Sequence, residues 1–217
     1  METMTIQGRQ IRAVLLDCDG VVLDTEGQYS QFWGRVGRER FPNVPDFATR
    51  IKGQTLVQIK ADYFRTQEDL GWIDRELDAF ERRMDYTYIH GAEAYLRYLR
   101  REGIPVALVT SSDHAKMEKV YGRRPEFRAY FDAVITAEDV RRSKPEPDCF
   151  LRGAAALGVP VGECVAVEDS PNGLRAARRS GAFVVGLATT CPAEVIVPLA
   201  DVVVDALDDL LPDDSRE

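Results

Sequence analysis

The chain has 217 residues, of which 45% are hydrophobic and 29% are charged. This composition excludes a disordered chain and is sufficient for a substantial buried core. The formal net charge of -8 argues against nucleic-acid binding and against a polybasic membrane surface, because both need clustered cations. A small anionic substrate would therefore have to meet local positive charge.

The cysteines and the apolar segments bear on the compartment. The four cysteines, at positions 18, 149, 164 and 191, have neither the spacing of a zinc site nor that of a redox pair, and free thiols fit a reducing cytosol. The first residues are polar, and no stretch approaches the roughly 20 apolar residues that a membrane helix needs. We expect a soluble cytoplasmic protein without a membrane partner, and nothing in the sequence requires more than a monomer.

The first predicted strand, at 12–17, is a short apolar run that ends in carboxylates and glycine, as is typical of a strand buried on both faces. The interval 25–90 that follows lacks such runs, and its apolar residues share helical faces instead. Three faces are predicted: Tyr29, Phe32, Trp33 and Val36; Leu56, Ile59, Lys60, Tyr63 and Phe64; and Leu77, Phe80, Met84 and Tyr88. We expect a small all-helical cap domain at 25–90, inserted into a core formed by 1–24 and 91–217.

Beyond the cap, apolar runs alternate with amphipathic segments. The runs lie at 105–109, 133–135, 164–167, 183–187 and 201–204, and the amphipathic segments lie at 92–101, 116–121, 150–157 and 174–179. Three of these segments are followed by a glycine, which is a common helix stop. Strands that alternate with helices predict an α/β fold with a doubly wound parallel sheet and helices on both faces.

Polar side chains follow four of the predicted strands, where ligands bind in an open parallel sheet. In strand order they are Asp17, Asp19 and Gly20; Thr110, Ser111 and Ser112; Ser143 and Lys144; and Glu168 and Asp169. Carboxylates that converge in a small volume repel one another unless a hard cation such as Mg²⁺ lies between them. Thr110 and Lys144 can donate to phosphoryl oxygens, and Asp17 can act as a carboxylate nucleophile. The pattern predicts magnesium-dependent phosphoryl transfer.

These strand ends carry a family resemblance. Residues 17–24, Thr110, Lys144-Pro145 and Glu168-Asp169 resemble, in chain order, the four motifs of the haloacid dehalogenase superfamily. The resemblance implies a Rossmann-like core with a cap. Segment 168–173 and the position of the helical block are similar to the branch that contains β-phosphoglucomutase and the small sugar and polyol phosphate phosphatases.

The resemblance also implies roles for individual residues. Asp17 would be the nucleophile and a magnesium ligand. Asp19 would bind magnesium through its backbone carbonyl, while its side chain protonates the leaving alcohol and then activates water. Asp169 would bind the metal directly, and Glu168 would bind it directly or through a water. Thr110 and Lys144 would hold the phosphoryl group, with help from backbone amides around Asp19 and Gly20.

Differences from particular branches of the family reduce the number of reactions to be expected. Dehalogenases and phosphonate-cleaving relatives lack an acid two residues after the nucleophile, so Asp19 favours phosphate esters. Mutases of the branch carry a histidine where this chain aligns Tyr29, and an arginine where it has Leu56 after Lys52. Hydrolysis of a small sugar or polyol phosphate is therefore favoured, with a phosphomutase as the alternative. A third hypothesis is a binding module that kept the fold but lost catalysis. Such a protein would lack the nucleophile or a metal ligand, and here no motif residue is missing.

Four further residues are candidates for substrate binding: Gly20, Ser111, Lys52 and Tyr29. Each has a simpler explanation. Ser111 can cap the next helix, and Lys52 can be an exposed lysine at a helix end. Tyr29 can belong to the core of the cap.

Overall fold

The computed structural model describes residues 3–51 and 54–212. The strands are β1 (Met4–Ile6), β2 (Arg9–Ile11), β3 (Ala13–Leu16), β4 (Val106–Val109), β5 (Ala133–Ile135), β6 (Cys164–Glu168), β7 (Phe183–Leu187) and β8 (Val202–Val204). The α-helices are α1 (Glu26–Arg40), α2 (Phe47–Ile51), α3 (Leu56–Tyr63), α4 (Gln67–Glu81), α5 (Ala92–Arg101), α6 (His114–Arg123), α7 (Asp148–Leu157), α8 (Pro171–Ser180) and α9 (Ala193–Ile196). Short 3-10 helices lie at Phe127–Tyr130, Ala137–Asp139, Val161–Glu163, Val197–Leu199 and Leu207–Leu210.

Six strands form one parallel sheet in the order β5-β4-β3-β6-β7-β8. The predicted α/β fold with a parallel sheet is thus confirmed. From β3 the chain builds outward through β4 to β5, and it then returns to build the other half through β6 to β8. The strand order therefore reverses beside β3. In an open α/β sheet, the crevice at this reversal is where ligands bind.

Each face of the sheet is covered by its own hydrophobic cluster. On one face the strands pack against α5 and α6, through residues such as Leu96 and Met117. On the other face they pack against α7, α8 and α9, through residues such as Phe150 and Leu174. Both faces of the sheet are covered by helices and shielded from solvent, so its strands consist of consecutive apolar residues. Strands β3 and β4 are buried along their whole length.

Helices α1 to α4 lie between β3 and α5 in the chain and have a hydrophobic cluster of their own. Aromatic rings dominate it: Phe32 stacks on Phe80 with ring centroids 4.7 Å apart, and Phe41 stacks on Phe47 at the same separation. Gly37 lets α1 and α2 approach closely, because a Cβ at this position would lie 2.6 Å from the Cβ of Phe47. These contacts hold the four helices together, and no strand lies among them in the residues that the structure describes.

The predicted third helical face was too long. Helix α4 ends at Glu81, and Tyr88 instead forms an antiparallel bridge with Leu23. Backbone hydrogen bonds from Asp24 to Thr87 and from Ile89 to Val22 join the two connections that enter and leave the helical block. Pairing between distant segments thus overrides the helical periodicity, and Met84 and Tyr88 pack on the core of the sheet.

Two further features complete the fold. The antiparallel hairpin of β1 and β2 precedes the sheet and was not anticipated from the sequence. Among the residues that the structure describes, no helix combines the length and the apolar character needed to cross a bilayer.

Candidate active site

The register of the sheet places Asp17 beside the acidic end of β6. Leu16 pairs with Val167, so the next residues, Asp17 and Glu168, lie side by side at the carboxyl ends of β3 and β6. The backbone N–H of Asp17 donates to the carbonyl of Val167 at 3.1 Å. Asp17 is 8% exposed and lies at the point where the strand order reverses.

Lys144 joins these two strand ends. Its ammonium donates to Asp17 Oδ1 at 2.6 Å, to Glu168 Oε1 at 2.8 Å and to the carbonyl of Val109 at 3.1 Å. Burial alone would lower the pKa of this lysine, but the charges of Asp17 and Glu168 outweigh it and raise the pKa well above its usual value. Lys144 is therefore a fixed cation between two of the carboxylates, and its predicted contact with a phosphoryl group stays a prediction.

The segment after β6 uses its sequence to immobilise Glu168. Oε2 of Glu168 accepts from the backbone N–H groups of Asp169 and Ser170 and from Ser170 Oγ, each at 3.0 Å. Ser170 also caps α8 by accepting from the N–H of Gly173, and Pro171 occupies the first turn. Gly173 is required, because the Glu168 carboxylate lies where its Cβ would be. Both Glu168 oxygens are thus engaged by protein donors.

Asp169 differs from its neighbour in that one of its oxygens has no partner among the described residues. Asp169 is 2% exposed, and within ranges 3–51 and 54–212 no donor reaches its buried Oδ2. Burial raises the pKa of Asp169 well above its usual value, and the negative charges of Glu168 and Asp17 raise it further. Burial likewise raises the pKa of Asp17 to about 7, although Lys144 opposes the shift. Ionised carboxylates are unstable in such surroundings unless a cation is added.

The donor set fits a hard divalent metal ion. Asp17, Glu168 and Asp169 each offer a carboxylate oxygen, and these three oxygens lie within 4.8 Å of one another. Oxygen ligands of this kind suit Mg²⁺. Because both oxygens of Glu168 already accept from protein donors, Asp17 and Asp169 are favoured as the direct carboxylate ligands, and Glu168 would bind directly through Oε1 or through a water. The Cα of Gly20 faces Asp169 Oδ2 and leaves no room for a Cβ, so this glycine keeps the backbone close to the carboxylate.

Asp19 points to a different set of partners. Lys116 donates to both of its carboxylate oxygens at 2.5 Å, Ser112 donates to Oδ2 at 2.9 Å, and Thr25 donates to Oδ1. Burial would raise the pKa of Asp19, but the Lys116 charge and these hydrogen bonds outweigh it and lower the pKa. Three carboxylates therefore converge on the candidate metal site, while the fourth is neutralised by a lysine.

Lys116 was not identified from the sequence. It is 3% exposed, and its ammonium also lies 4.8 Å from the centroid of the Tyr29 ring. Asp113 caps α6 by accepting from the N–H of Lys116, which fixes this residue in the first turn of the helix, at the same edge of the sheet as Asp19. A lysine in the first helical turn, where the dipole disfavours a cation, was the available signal.

The structure places the other predicted residues as follows. Thr110 is buried at the end of β4 and lines a small pocket with Ser111 and Lys144. Ser111 also borders the main cavity. Gly20 has a positive φ of 79°, its N–H donates to Leu23 O at 2.8 Å, and its carbonyl accepts from Thr189 Oγ1 at 2.5 Å. In this conformation Gly20 forms part of the turn after β3, and its N–H and its carbonyl both bond to other protein groups.

A cavity of about 480 Å³ extends from Asp17, Asp19 and Asp169 to the helices of the 25–90 block. Tyr29 lines it, with its ring near Lys116 and its hydroxyl donating to Glu81 Oε1 at 2.9 Å. Lys52, the remaining predicted substrate contact, lies outside the described residues. The cavity therefore joins a cluster of acids and lysines on the sheet to a helical wall.

Comparison with known proteins agrees with this architecture. A solved structure of a family IA hydrolase from Entamoeba histolytica superposes with a TM-score of 0.80 over 95% of this chain and 97% of that chain, at 19% identity. Such a likeness concerns the fold alone.

Two relatives are more similar in sequence. Validoxylamine A 7'-phosphate phosphatase of Streptomyces hygroscopicus subsp. limoneus is 29% identical over 90% of this chain and 94% of its own length. β-Phosphoglucomutase of Bacillus subtilis is 27% identical over 82% of this chain and 83% of its own length. Both a phosphatase and a mutase are thus similar to this chain along most of its length.

A family model settles the classification. The model of haloacid dehalogenase-like hydrolases matches residues 11–181, which include every motif residue from Asp17 to Gly173. The chain belongs to the haloacid dehalogenase-like hydrolase family.

Proposed function

We propose that the protein is a magnesium-dependent phosphatase that hydrolyses small phosphate monoesters through an aspartyl-phosphate on Asp17. The observation that carries the proposal is the buried Oδ2 of Asp169, which has no partner among the described residues and lies in a cluster with Asp17 and Glu168. Such an oxygen is stabilised either by protonation of the acid or by a bound cation, and a cation allows the whole cluster to be ionised. Mg²⁺ held by Asp17 and Asp169 would neutralise the cluster and the incoming phosphate.

The chain's own residues account for both steps of the reaction. In the first step an Asp17 oxygen attacks phosphorus, the bond between phosphorus and the alcohol oxygen breaks, and Asp19 gives its proton to the departing alcohol. In the second step ionised Asp19 takes a proton from water, the water oxygen attacks phosphorus, and the bond to Asp17 breaks with release of phosphate. Lys144, 2.6 Å from Asp17, stabilises the charge on the phosphoryl oxygens.

Asp19 must change partners during this cycle. Lys116, Ser112 and Thr25 donate hydrogen bonds to the two carboxylate oxygens of Asp19 and so favour its ionised form. The ionised form is the one that the second step needs. The first step needs the protonated form, so the side chain leaves Lys116 when it turns toward the alcohol. Thr25 lies at the entrance to the helical block, so this exchange takes place at the junction with the cap.

We assign residues 25–90 to a cap that closes over the substrate and excludes bulk water during phosphoryl transfer. The support is the separate hydrophobic cluster of α1 to α4 and the cavity between these helices and the sheet. A cavity of about 480 Å³ suits a small molecule and would exclude a folded phosphoprotein.

The mutase alternative requires cations that grip the second phosphate of a bisphosphate. In the described part of the cavity, each lysine already has an acidic partner: Lys60 pairs with Asp74, Lys116 with Asp19, and Lys144 with Asp17 and Glu168. Tyr29 donates to Glu81 rather than offering a cation. Because these lysines are already paired with acids, the cavity favours water over a second sugar phosphate as the acceptor of the phosphoryl group.

The test is an assay of the purified protein on sugar and polyol phosphates, with Mg²⁺ and with chelator, followed by ³¹P NMR. We expect free phosphate only when Mg²⁺ is present, and at least a thousandfold loss of rate in Asp17→Asn. Asp205→Asn, at an exposed carboxylate outside the cavity, should keep the wild-type rate. Activity that survives chelation or Asp17→Asn would refute the mechanism. Movement of phosphate between positions of one sugar, without free phosphate, would establish the mutase instead.

A further inference from the structure

We propose that the cap side of the cavity selects phosphate esters whose alcohol has an apolar face, and that Val57 is a specificity-determining residue. The inference rests on the proposed phosphatase function and narrows its substrates. Its basis is the contrast between the two walls of the same cavity. The sheet side consists almost entirely of polar and charged side chains, whereas the cap side contributes nearly all of the apolar ones.

The cap wall is formed by side chains from α1 to α4. Its apolar members are Trp33, Ala48, Ile51, Leu56, Val57, Ile59 and Leu77. Four of them, including Trp33 and Leu77, belong to the buried cluster of the cap and present only an edge to the cavity. Val57 is different, because it is 75% exposed in the first turn of α3. It is the most exposed large apolar residue in the described ranges 3–51 and 54–212.

The polar groups of the cap wall are largely engaged with one another. Lys60 pairs with Asp74, and Glu81 accepts from Lys119 Nζ and from the Tyr29 hydroxyl. Thr55 and Gln58 satisfy each other in a capping box at the start of α3. These groups have little capacity left for substrate hydroxyls.

Gln54 and Ser30 are exceptions among the cap's polar groups that line the cavity. Gln54 Oε1 is buried and has no hydrogen-bond partner within the described part of the chain, and Ser30 is exposed on α1. A single substrate donor could satisfy the Gln54 oxygen. The wall therefore combines apolar side chains with few polar groups that are available to a substrate.

This arrangement discriminates between alcohols by desolvation. An acyclic polyol that fills the cavity would give up water at several hydroxyls and recover few hydrogen bonds, which is unfavourable. An alcohol with an aromatic or alicyclic face would instead bury apolar area against Val57 and Leu56. The favoured substrate is thus the phosphate ester of a ring-bearing alcohol with few hydroxyl groups on the side that faces the cap.

The experiment compares kcat/KM for benzyl phosphate and glycerol 3-phosphate in the presence of Mg²⁺. Both esters release a primary alcohol, so both need protonation of the leaving group. We expect wild-type protein to favour benzyl phosphate by about tenfold. Val57→Thr keeps the shape of the side chain but replaces one methyl group with a hydroxyl, and it should reduce this ratio about fivefold. Val197→Thr, the same change at a residue that is 56% exposed and outside the cavity, should leave both rates and their ratio unchanged.

The outcomes separate this inference from the function on which it rests. If glycerol 3-phosphate is the equal or better substrate, or if Val57→Thr leaves the ratio unchanged, the selectivity inference is wrong and the phosphatase stands. If neither these esters nor the sugar and polyol phosphates release phosphate with Mg²⁺, the proposed function fails and the inference fails with it. A lower ratio of kcat/KM for benzyl phosphate to that for glycerol 3-phosphate in Val57→Thr, with the ratio unchanged in Val197→Thr, supports the assignment of Val57.

Discussion

Raising the pH of the metal-free protein should destabilise it, and Asp17 should account for a measurable part of the loss. Burial raises the pKa of the Asp17 carboxyl from its ordinary value of 3.8 to about 7. The folded chain therefore holds this proton more tightly than the unfolded chain does. The stabilisation is complete below about pH 3.8, and it is lost as the pH rises through about 7.

The magnitude follows from this difference in pKa. Integrating proton binding between about pH 5 and about pH 8 gives a loss of about 2.5 kcal/mol in the free energy of unfolding from Asp17. Asp169 acts in the same direction, because burial and neighbouring carboxylates raise its pKa as well. Mg²⁺ binds the ionised carboxylates of the folded state, so it should stabilise the protein more at pH 8 than at pH 5.

The assay is urea unfolding in the presence of chelator across this pH range. Asp17→Asn should show a loss between pH 5 and pH 8 that is smaller by about 2.5 kcal/mol, because the substituted side chain does not ionise. Asp205→Asn, at an exposed position, serves as the control and should follow the wild type. If the difference between wild type and Asp17→Asn is the same at pH 5 and pH 8, Asp17 does not have a raised pKa and the reasoning is refuted.

Two other substitutions test the packing of the site. Lys116→Met should lower the free energy of unfolding by about 3 kcal/mol at neutral pH, because it leaves the Asp19 carboxylate without its cation. Urea unfolding measures this loss, and a value below about 1 kcal/mol would contradict the prediction. Gly173→Ala should reduce kcat at least a hundredfold, because its Cβ would displace the Glu168 carboxylate. Gly122→Ala, in open space on α6, is the matched control and should retain activity and gain about 0.5–1 kcal/mol of stability; equal activity in the two alanine variants would refute the role of Gly173.

The sequence anticipated which residues meet at the candidate active site because much of its information is local. Asp17 and Asp169 each follow a short apolar run, Lys144 lies in the loop that follows β5, and the carboxyl ends of parallel strands meet at one edge of a sheet. Their convergence therefore follows from the fold class, without knowledge of any side-chain position. The absence of apolar strand runs between 25 and 90 likewise indicated a helical block.

Local periodicity was insufficient where distant segments compete for the same backbone. The apolar spacing of Leu77, Met84 and Tyr88 predicts one continuous helix, yet α4 ends at Glu81. The following residues extend to pair with the connection after β3, as the bridge between Leu23 and Tyr88 shows. A helical pattern cannot report a partner that lies 65 residues earlier in the chain.

The sequence by itself determined the sheet, the order of the motifs and the identity of the acids, because apolar runs and strand-end residues are properties of short segments. Only the tertiary structure decided how the acids divide between partners. Lys116 reaches Asp19 across 97 positions of sequence, and Lys144 reaches Asp17 across 127. Burial and charge at each carboxylate depend on such long-range contacts, so Asp19 is neutralised by a lysine while Asp169 Oδ2 has no donor in the described part of the chain.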